Sequence, residues 1–325
     1  MRTIDWVDGA VEIIDQTALP DEVRVLRLST VDGLVDAIRR LAVRGAPALG
    51  VAGALGVALA VREYPDPAPA IEAVRTARPT AVNLARGVDR AAARISAGPD
   101  AVLAEALRVR DEEIASSAAQ GRAGADLVTT LCGGAPWLLT HCNTGALAAV
   151  VGGTALAVVA ELHRRGVLAG VVASETRPLL QGARLTAWEL HQLGVPFRVA
   201  VDSVGPFLMA RGDIDAVIVG ADRICSNGDV VNKVGTYAHA LGARRAGIPF
   251  LVVAPESTVD TGTPDGAAVQ IEDRGRDEVL RFRGTRTAPD GVDAVNPAFD
   301  VTPYDLVTAI VTDRRVIRLD QGDRV

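Results

Sequence analysis

Asp222 closes the apolar run Ala216-Val217-Ile218-Val219-Gly220-Ala221 and opens a polar stretch that reaches Asn232 and Lys233. An unbroken apolar run of this length reads as a strand buried on both faces of a parallel sheet. Such sheets present ligand-facing residues just past their carboxyl ends. A carboxylate delivered there can donate or accept a proton; the bland alternative is a helix cap or an ion pair with Arg223. Asn232 and Lys233 add an amide and a cation at what reads as the start of a helix, whose N-terminus favours an anion. The combination points to a phosphorylated small molecule.

A second strand end carries Thr140-His141-Cys142-Asn143-Thr144-Gly145. Cys142 can serve as acid, base or nucleophile if its thiolate is stabilised, and a helix N-terminus over 143–145 would help. Alone, it reads more often as a small buried hydrophobe, and His141 as a hydrogen-bonded structural imidazole. Arg44-Gly45-Ala46-Pro47 puts a guanidinium and free backbone amides before a long apolar helix, an arrangement suited to phosphate or to a structural ion pair. Arg78-Pro79 repeats it, so two arginines and Lys233 could neutralise one phosphate dianion. Gln181 offers a neutral amide for sugar hydroxyls. Glu175 and Arg177 read as a structural ion pair, and Asp202 as a supporting or capping residue.

The elements that must position these groups fall into two textures. Residues 10–15 and 22–28, after an Asp8-Gly9 turn, alternate apolar and polar as short antiparallel strands do. From Val31 to about Val128 the pattern is Ala-rich and helical, broken at Gly45 to Pro47, Pro65 to Pro69, Pro79 and Gly98-Pro99, which predicts four or five helices. Beyond Gly133-Gly134, short apolar runs begin near Trp137, Val167, Phe197, Asp215 and Phe250, each followed by a helix-length segment. That alternation predicts βαβ units and a mostly parallel sheet. Val151-Gly152-Gly153 falls within a helical pattern, and Val259 to Ala294 reads as a long surface excursion. The expected fold is α/β: a mainly helical N-terminal domain with a small antiparallel sheet, residues 1–122, then a Rossmann-like domain, residues 123–325.

Composition narrows the function. The 325 residues carry 34 basic and 40 acidic side chains, a net charge of -6, with 3% aromatics and no dense Lys/Arg block, so a nucleic-acid partner is not expected. Cys132, Cys142 and Cys225 have no metal-like spacing, so neither a metal nor a disulfide framework is expected, and a reducing cytoplasmic location is. No GxGxxG or Walker loop follows any strand, so no nucleotide cofactor is expected. The N-terminus lacks the apolar core of a signal peptide, and the apolar stretches 46–61 and 146–162 fall short of a bilayer span, so no membrane association is expected.

Assembled in order, these blocks resemble the methylthioribose-1-phosphate isomerases, methionine-salvage members of the family that includes the regulatory subunits of translation initiation factor 2B. The resemblance runs through Val43 to Pro47, Ala77 to Leu84, Leu139 to Asn143, Glu175 to Pro178, Leu180 to Leu190, Gly220 to Arg223, Asn227 to Tyr237 and Pro297 to Pro303. Cys225 and Thr144 depart from it where relatives commonly have a small residue such as Ala. It implies a homodimer and a cofactor-free aldose-ketose isomerase acting on a sugar phosphate, with Asp222 and Cys142 catalytic. Arg44, Gly45, Ala46, Arg78, Gln181, Asn232 and Lys233 would bind substrate. The alternatives within the resemblance are an isomerase of ribose 1,5-bisphosphate or other 5-deoxypentose 1-phosphates, and a non-catalytic regulatory protein.

Overall fold

A computed structural model describes residues 2–79, 81–282 and 284–325. The chain opens with a three-stranded antiparallel sheet, β1 (Ile4–Val7), β2 (Ala10–Ile14) and β3 (Val25–Leu28). Asp8 and Gly9 turn β1 into β2 with positive φ angles of 44° and 84°, so the expected turn is present and has a strand ahead of it that the pattern did not announce. Five α-helices follow: α1 (Val31–Arg39), α2 (Ala46–Glu63), α3 (Ala68–Arg75), α4 (Val82–Ala92) and α5 (Pro99–Cys132).

Helix α2 is apolar on every side and is buried from Pro47 to Ala60, at the centre of a core that also takes Ile4 and Ile13 from the sheet. Among the described residues it is the one helix long and apolar enough to cross a membrane, yet its surface is spent on packing. Its contact with α4 runs through glycines: a methyl on Gly87 would collide with the Gly50 carbonyl, and one on Gly53 with the Leu84 carbonyl. Gly87→Ala should therefore lower stability by about 1–3 kcal/mol in urea denaturation. Helix propensity alone would favour alanine by about 1 kcal/mol, so a stabilised variant would refute this account of the contact.

The second half is a seven-stranded sheet. It comprises β4 (Trp137–Thr140), β5 (Gly170–Ser174), β6 (Phe197–Ala200), β7 (Ala216–Val219) and, beyond the small strands β8 (Arg223–Cys225) and β9 (Val230–Lys233), β10 (Phe250–Val253). After β11 (Val259–Asp260), β12 (Arg281–Phe282), β13 (Thr285–Arg286) and β14 (Phe299–Thr302), it ends with β15 (Ala309–Val311) and β16 (Val316–Ile317). The order is β16-β15-β10-β7-β4-β5-β6, parallel except for β16. Alternate residues face opposite sides. Leu138, Val171, Ile218 and Leu251 meet α5, α6 (Ala155–Arg164) and Leu190 of α7 (Ala187–Gln192), whereas Leu139, Val172, Val217 and Phe250 meet α8 (Gly205–Ala210) and α9 (Thr236–Ala246). The expected parallel strands are thus all present, and α9 ends at Gly247 with a left-handed φ of 72°.

Three local expectations change. No helix begins at Asn143; a single 3-10 turn, Ala146–Ala148, follows instead. Gly152 and Gly153 form a turn with φ of 73° and 91°, which lets the chain pass tightly over Thr144 and Gly145 rather than continue a helix. Asn232 and Lys233 end β9, because β14 pairs with them through Asp300 and Phe299; the helix waits until Thr236. The segment 259–294 does run as an excursion, whose described residues form α10 (Asp277–Leu280), a 3-10 turn at Gly266–Ala268 and very short strands.

Candidate active site

The carboxyl ends of β4 and β7 lie side by side, so Cys142 and Asp222 reach the same end of the sheet. Both line one cavity with Arg44, Gly45, Ala46, Arg78, Gln181, Asn232 and Lys233, so the expected catalytic pair and substrate-binding residues are brought together, whereas His141, Glu175, Arg177 and Asp202 are not among its lining residues. This cavity, about 80 Å³, shares Gly45, Ala46, Arg78, Asp222 and Phe299 with a neighbour of about 360 Å³ lined by Leu49, Pro79, Val82, Ala268 and Val269. Together they reach the size of ordinary small-molecule sites, roughly 300–1,000 Å³. The larger part mixes apolar side chains, among them Leu49, Val82, Val231 and Val269, with the polar Asn83, Arg223 and Gln270.

Asp222 is anchored by its backbone N–H to the Val231 carbonyl at 2.9 Å. Its carboxylate pairs with neither Arg223, which binds Asp260 at 2.8 Å, nor any other described residue at ion-pair distance. Its own surface is exposed, but that surface faces a concavity enclosed by protein. The enclosure pushes its acidity toward higher pH, against the opposing pull of Lys233, Arg78 and Arg44.

Cys142 occupies a left-handed backbone conformation, φ 62°, unusual for a side chain of any size. Thr176 holds its N–H at 2.9 Å and Thr186 donates to its carbonyl at 2.6 Å. Thr176 in turn is fixed by Asp202, which accepts from its N–H at 2.7 Å and from the Arg177 N–H at 2.7 Å, the supporting role expected of that aspartate. Arg177 donates to the Pro178 and Val279 carbonyls, so the expected ion pair with Glu175 is not formed. His141 lies beneath the site: its Nε2 donates to the Val234 carbonyl at 2.8 Å, and its Nδ1 faces His239 Nε2 at 3.3 Å. Burial lowers the pKa of both imidazoles, that of His239 to about 3.

The cations are held differently from one another. Lys233 donates to the Ala298 carbonyl at 2.6 Å and stands 4.9 Å from the Phe299 ring centroid; burial lowers its pKa. Arg78 lies 3.6 Å from Glu272. Arg44 starts from a chain bend at Gly45, φ 99°, and Pro47 within the first turn of α2, as expected. Arg44 is 9% exposed, and its guanidinium has no carboxylate at ion-pair distance among the described residues. A buried cation without a direct counter-charge is a natural anion receptor. The buried Thr144 Oγ1 and Gln181 Oε1 line the same cavity with no protein partner among the described residues, as suits groups that bond a polar ligand.

Sequence reading missed Arg274, which enters the cavity from the patternless excursion and is braced by Glu272 at 3.2 Å and Glu278 at 2.6 Å. It also passed over Asn143 and Thr144 as ligand-facing groups, although both sit in the block quoted around Cys142. Among the described residues, no cluster of three or more His, Cys, Asp or Glu has metal-binding geometry.

Residues 42–318 match the Initiation factor 2 subunit family. A methylthioribose-1-phosphate isomerase of Anaeromyxobacter sp. (strain K) is 53% identical over 95% of this chain and 91% of its own length. A 5-deoxyribose 1-phosphate isomerase of Moorella thermoacetica is 48% identical over 97% and 93%. A probable bifunctional methylthioribose-1-phosphate isomerase/methylthioribulose-1-phosphate dehydratase of Nocardia farcinica is 52% identical over 98% of this chain, which spans only 60% of that longer protein. The crystal structure of 5-methylthioribose 1-phosphate isomerase from Pyrococcus horikoshii superposes with a TM-score of 0.91 at 39% identity, over 98% of this chain and 92% of the other. By sequence and by fold, then, the chain belongs to the Initiation factor 2 subunit family, beside its sugar-phosphate isomerases.

Proposed function

We propose that this chain converts 5-methylthioribose 1-phosphate into 5-methylthioribulose 1-phosphate. The observation that carries the reading is the convergence of an enclosed carboxyl, Asp222, and a thiol, Cys142, with Arg44, Arg78 and Lys233 on one cavity that opens into an annex walled in part by Leu49, Val82, Val231 and Val269. A phosphate suits the cations and a 5-methylthio group suits the annex. Among the described residues the cations there are Arg78 and Arg223, each already facing a carboxylate, which disfavours ribose 1,5-bisphosphate. The annex would also accept a bare 5-methyl group, and the likeness to the Moorella enzyme favours 5-deoxyribose 1-phosphate as a second substrate.

The difficulty of the reaction lies in its first step. Phosphate on the anomeric oxygen blocks the spontaneous ring opening of a free hemiacetal, so an acid must protonate the ring oxygen as its bond to C1 breaks. Asp222, kept protonated to higher pH by enclosure, supplies that proton. Hydrogen then moves from C2 to C1, the C2 hydroxyl loses its proton, and C2 becomes the ketone. One proton arrives at the ring oxygen and one leaves O2, so a single carboxyl returns to its starting state. Electrons are conserved within the substrate, and no external oxidant enters. Cys142 assists at the carbon centres, and Gln181 and Thr144 bond the hydroxyls.

The same reading takes residues 1–122 and 123–325 as the two units, with α5 running through both and packing on α2 and α6. It also makes the protein a cytoplasmic homodimer. Val199 on edge strand β6, Phe207 on α8 and Leu241 on α9 are 46%, 57% and 46% exposed, an apolar set that a second copy would cover. Incubating the purified protein with 5-methylthioribose 1-phosphate, without added metal or nucleotide, should yield the ketose by NMR. No conversion, with ribose 1,5-bisphosphate consumed instead, would overturn the reading.

A further inference from the structure

Glu189 is a carboxylate 7% exposed, one turn into α7 and outside every role assigned above. Its two oxygens are both acceptors: Asn143 Nδ2 donates to Oε2 at 2.6 Å and the Leu147 N–H donates to Oε1 at 3.2 Å. Thr186, on the π-helical turn Gly182–Thr186 that leads into α7, holds the same Asn143 amide at 3.2 Å and the Cys142 carbonyl at 2.6 Å. With its NH2 group committed to Glu189 and Thr186, Asn143 must turn its side-chain oxygen the other way. That oxygen accepts from Arg44 Nη2, while the Asn143 backbone carbonyl accepts from Nη1 at 3.1 Å and Gln16 Oε1 from Nε at 3.0 Å. Three of the five guanidinium N–H groups are thereby spent on neutral oxygens, and two remain for a ligand.

From this chain of contacts we infer that Glu189 is a positioning residue for the substrate's phosphate: acting through Asn143, it aims Arg44 and offsets its charge from one residue away. The spacing matters. A carboxylate touching Arg44 would occupy the fork that a phosphate needs, whereas no carboxylate nearby would leave a buried guanidinium uncompensated. The interposed amide meets both requirements. Gly145 belongs to the same arrangement, because a side chain there would collide with the Glu189 carboxylate. Burial raises the pKa of Glu189, opposed by the hydrogen bonds from Asn143 and the Leu147 N–H and by the charge of Arg44.

The inference rests on reading Arg44 as a phosphate ligand, so its test separates the two. The full-length protein and the variants Arg44→Met, Glu189→Gln and Asn143→Ala are titrated calorimetrically with inorganic phosphate and assayed for isomerase KM and kcat. In Glu189→Gln one acceptor becomes a donor and the Asn143 amide loses its orientation. Phosphate affinity and KM should then worsen at least tenfold, with a smaller fall in kcat, and Asn143→Ala should do the same. In an Arg44→Met background, Glu189→Gln should add no further loss. A merely structural role would lower Tm and the active fraction but leave KM and phosphate affinity in place. Folded Glu189→Gln and Asn143→Ala proteins that bind phosphate normally, while Arg44→Met does not, would overturn the positioning role alone. Normal binding by Arg44→Met would overturn the assignment of Arg44 and the inference with it. Should Glu189→Gln fail to fold, Asn143→Ala, which leaves the buried carboxylate in place, decides.

Discussion

Asp222→Asn should reduce turnover by roughly 10²- to 10⁴-fold, the usual worth of a positioned acid-base group, with substrate affinity largely retained. The amide keeps the shape of the side chain but cannot give a proton to the ring oxygen or take one from O2. The carboxyl's environment adds a second expectation of opposite sign. Enclosure raises its folded pKa above the unfolded value despite Lys233, Arg78 and Arg44, so the ionised form is the one the fold disfavours. Stability associated with this group is full below the ordinary carboxylate range and is lost as pH rises through the folded pKa. The Asn variant should therefore melt slightly higher than the unaltered protein at neutral pH, with the gap closing on acidification. The gain is small because the carboxylate faces a solvent-filled concavity, where water screens the penalty. Near-normal kcat in the variant would remove Asp222 from the mechanism.

Cys142→Ala should cost turnover on a similar scale, about 10²-fold or more, while calorimetric phosphate binding stays close to that of the unaltered protein. The thiol is held at a left-handed φ of 62° by Thr176 and Thr186. Such a conformation costs on the order of 1–3 kcal/mol and persists only where surrounding contacts impose it. Packing alone would not need it, since a small apolar residue is accommodated in ordinary backbone elsewhere in the sheet. Cys142→Ser, which keeps a weaker proton donor at the same place, should fall between the two. If the Ala variant turns over at the normal rate, the thiol is a filler, and Asp222 works with the hydroxyl-binding groups alone. Running the reaction in deuterated water adds a reading of how hydrogen reaches C1: solvent label there marks a proton path through Cys142 or Asp222.

The groups most legible in the sequence are those whose signal is local. Asp222 stands out because Ala216 to Val219 are apolar without interruption, and a strand buried on both faces demands that pattern. Helix α2 is legible for the same reason, and Arg44 with it, because Gly45 and Pro47 mark where that helix starts. Arg274 was invisible: nothing around it has a period, and its place is set by Glu272, Glu278 and the fold of the excursion. Asn232 and Lys233 were legible as chemistry but misplaced as structure. Their strand exists only because β14, more than sixty residues later, pairs with it, and a helical pattern beginning at Thr236 gives no hint of that partner.

What the sequence by itself determined, then, is the alternation of buried runs and helices, the two strand ends that hold Cys142 and Asp222, and the three cations nearby. Those follow from burial periodicity and from turn-forming residues, which act over a few positions of chain. The tertiary structure decided which groups share one cavity, how that cavity encloses Asp222, and which residues line the annex beside it. It also decided that Asn143 bonds both Arg44 and Glu189, residues well over a hundred positions apart in sequence. Such relations depend on packing between segments remote in the chain, and no local pattern encodes the distance between them.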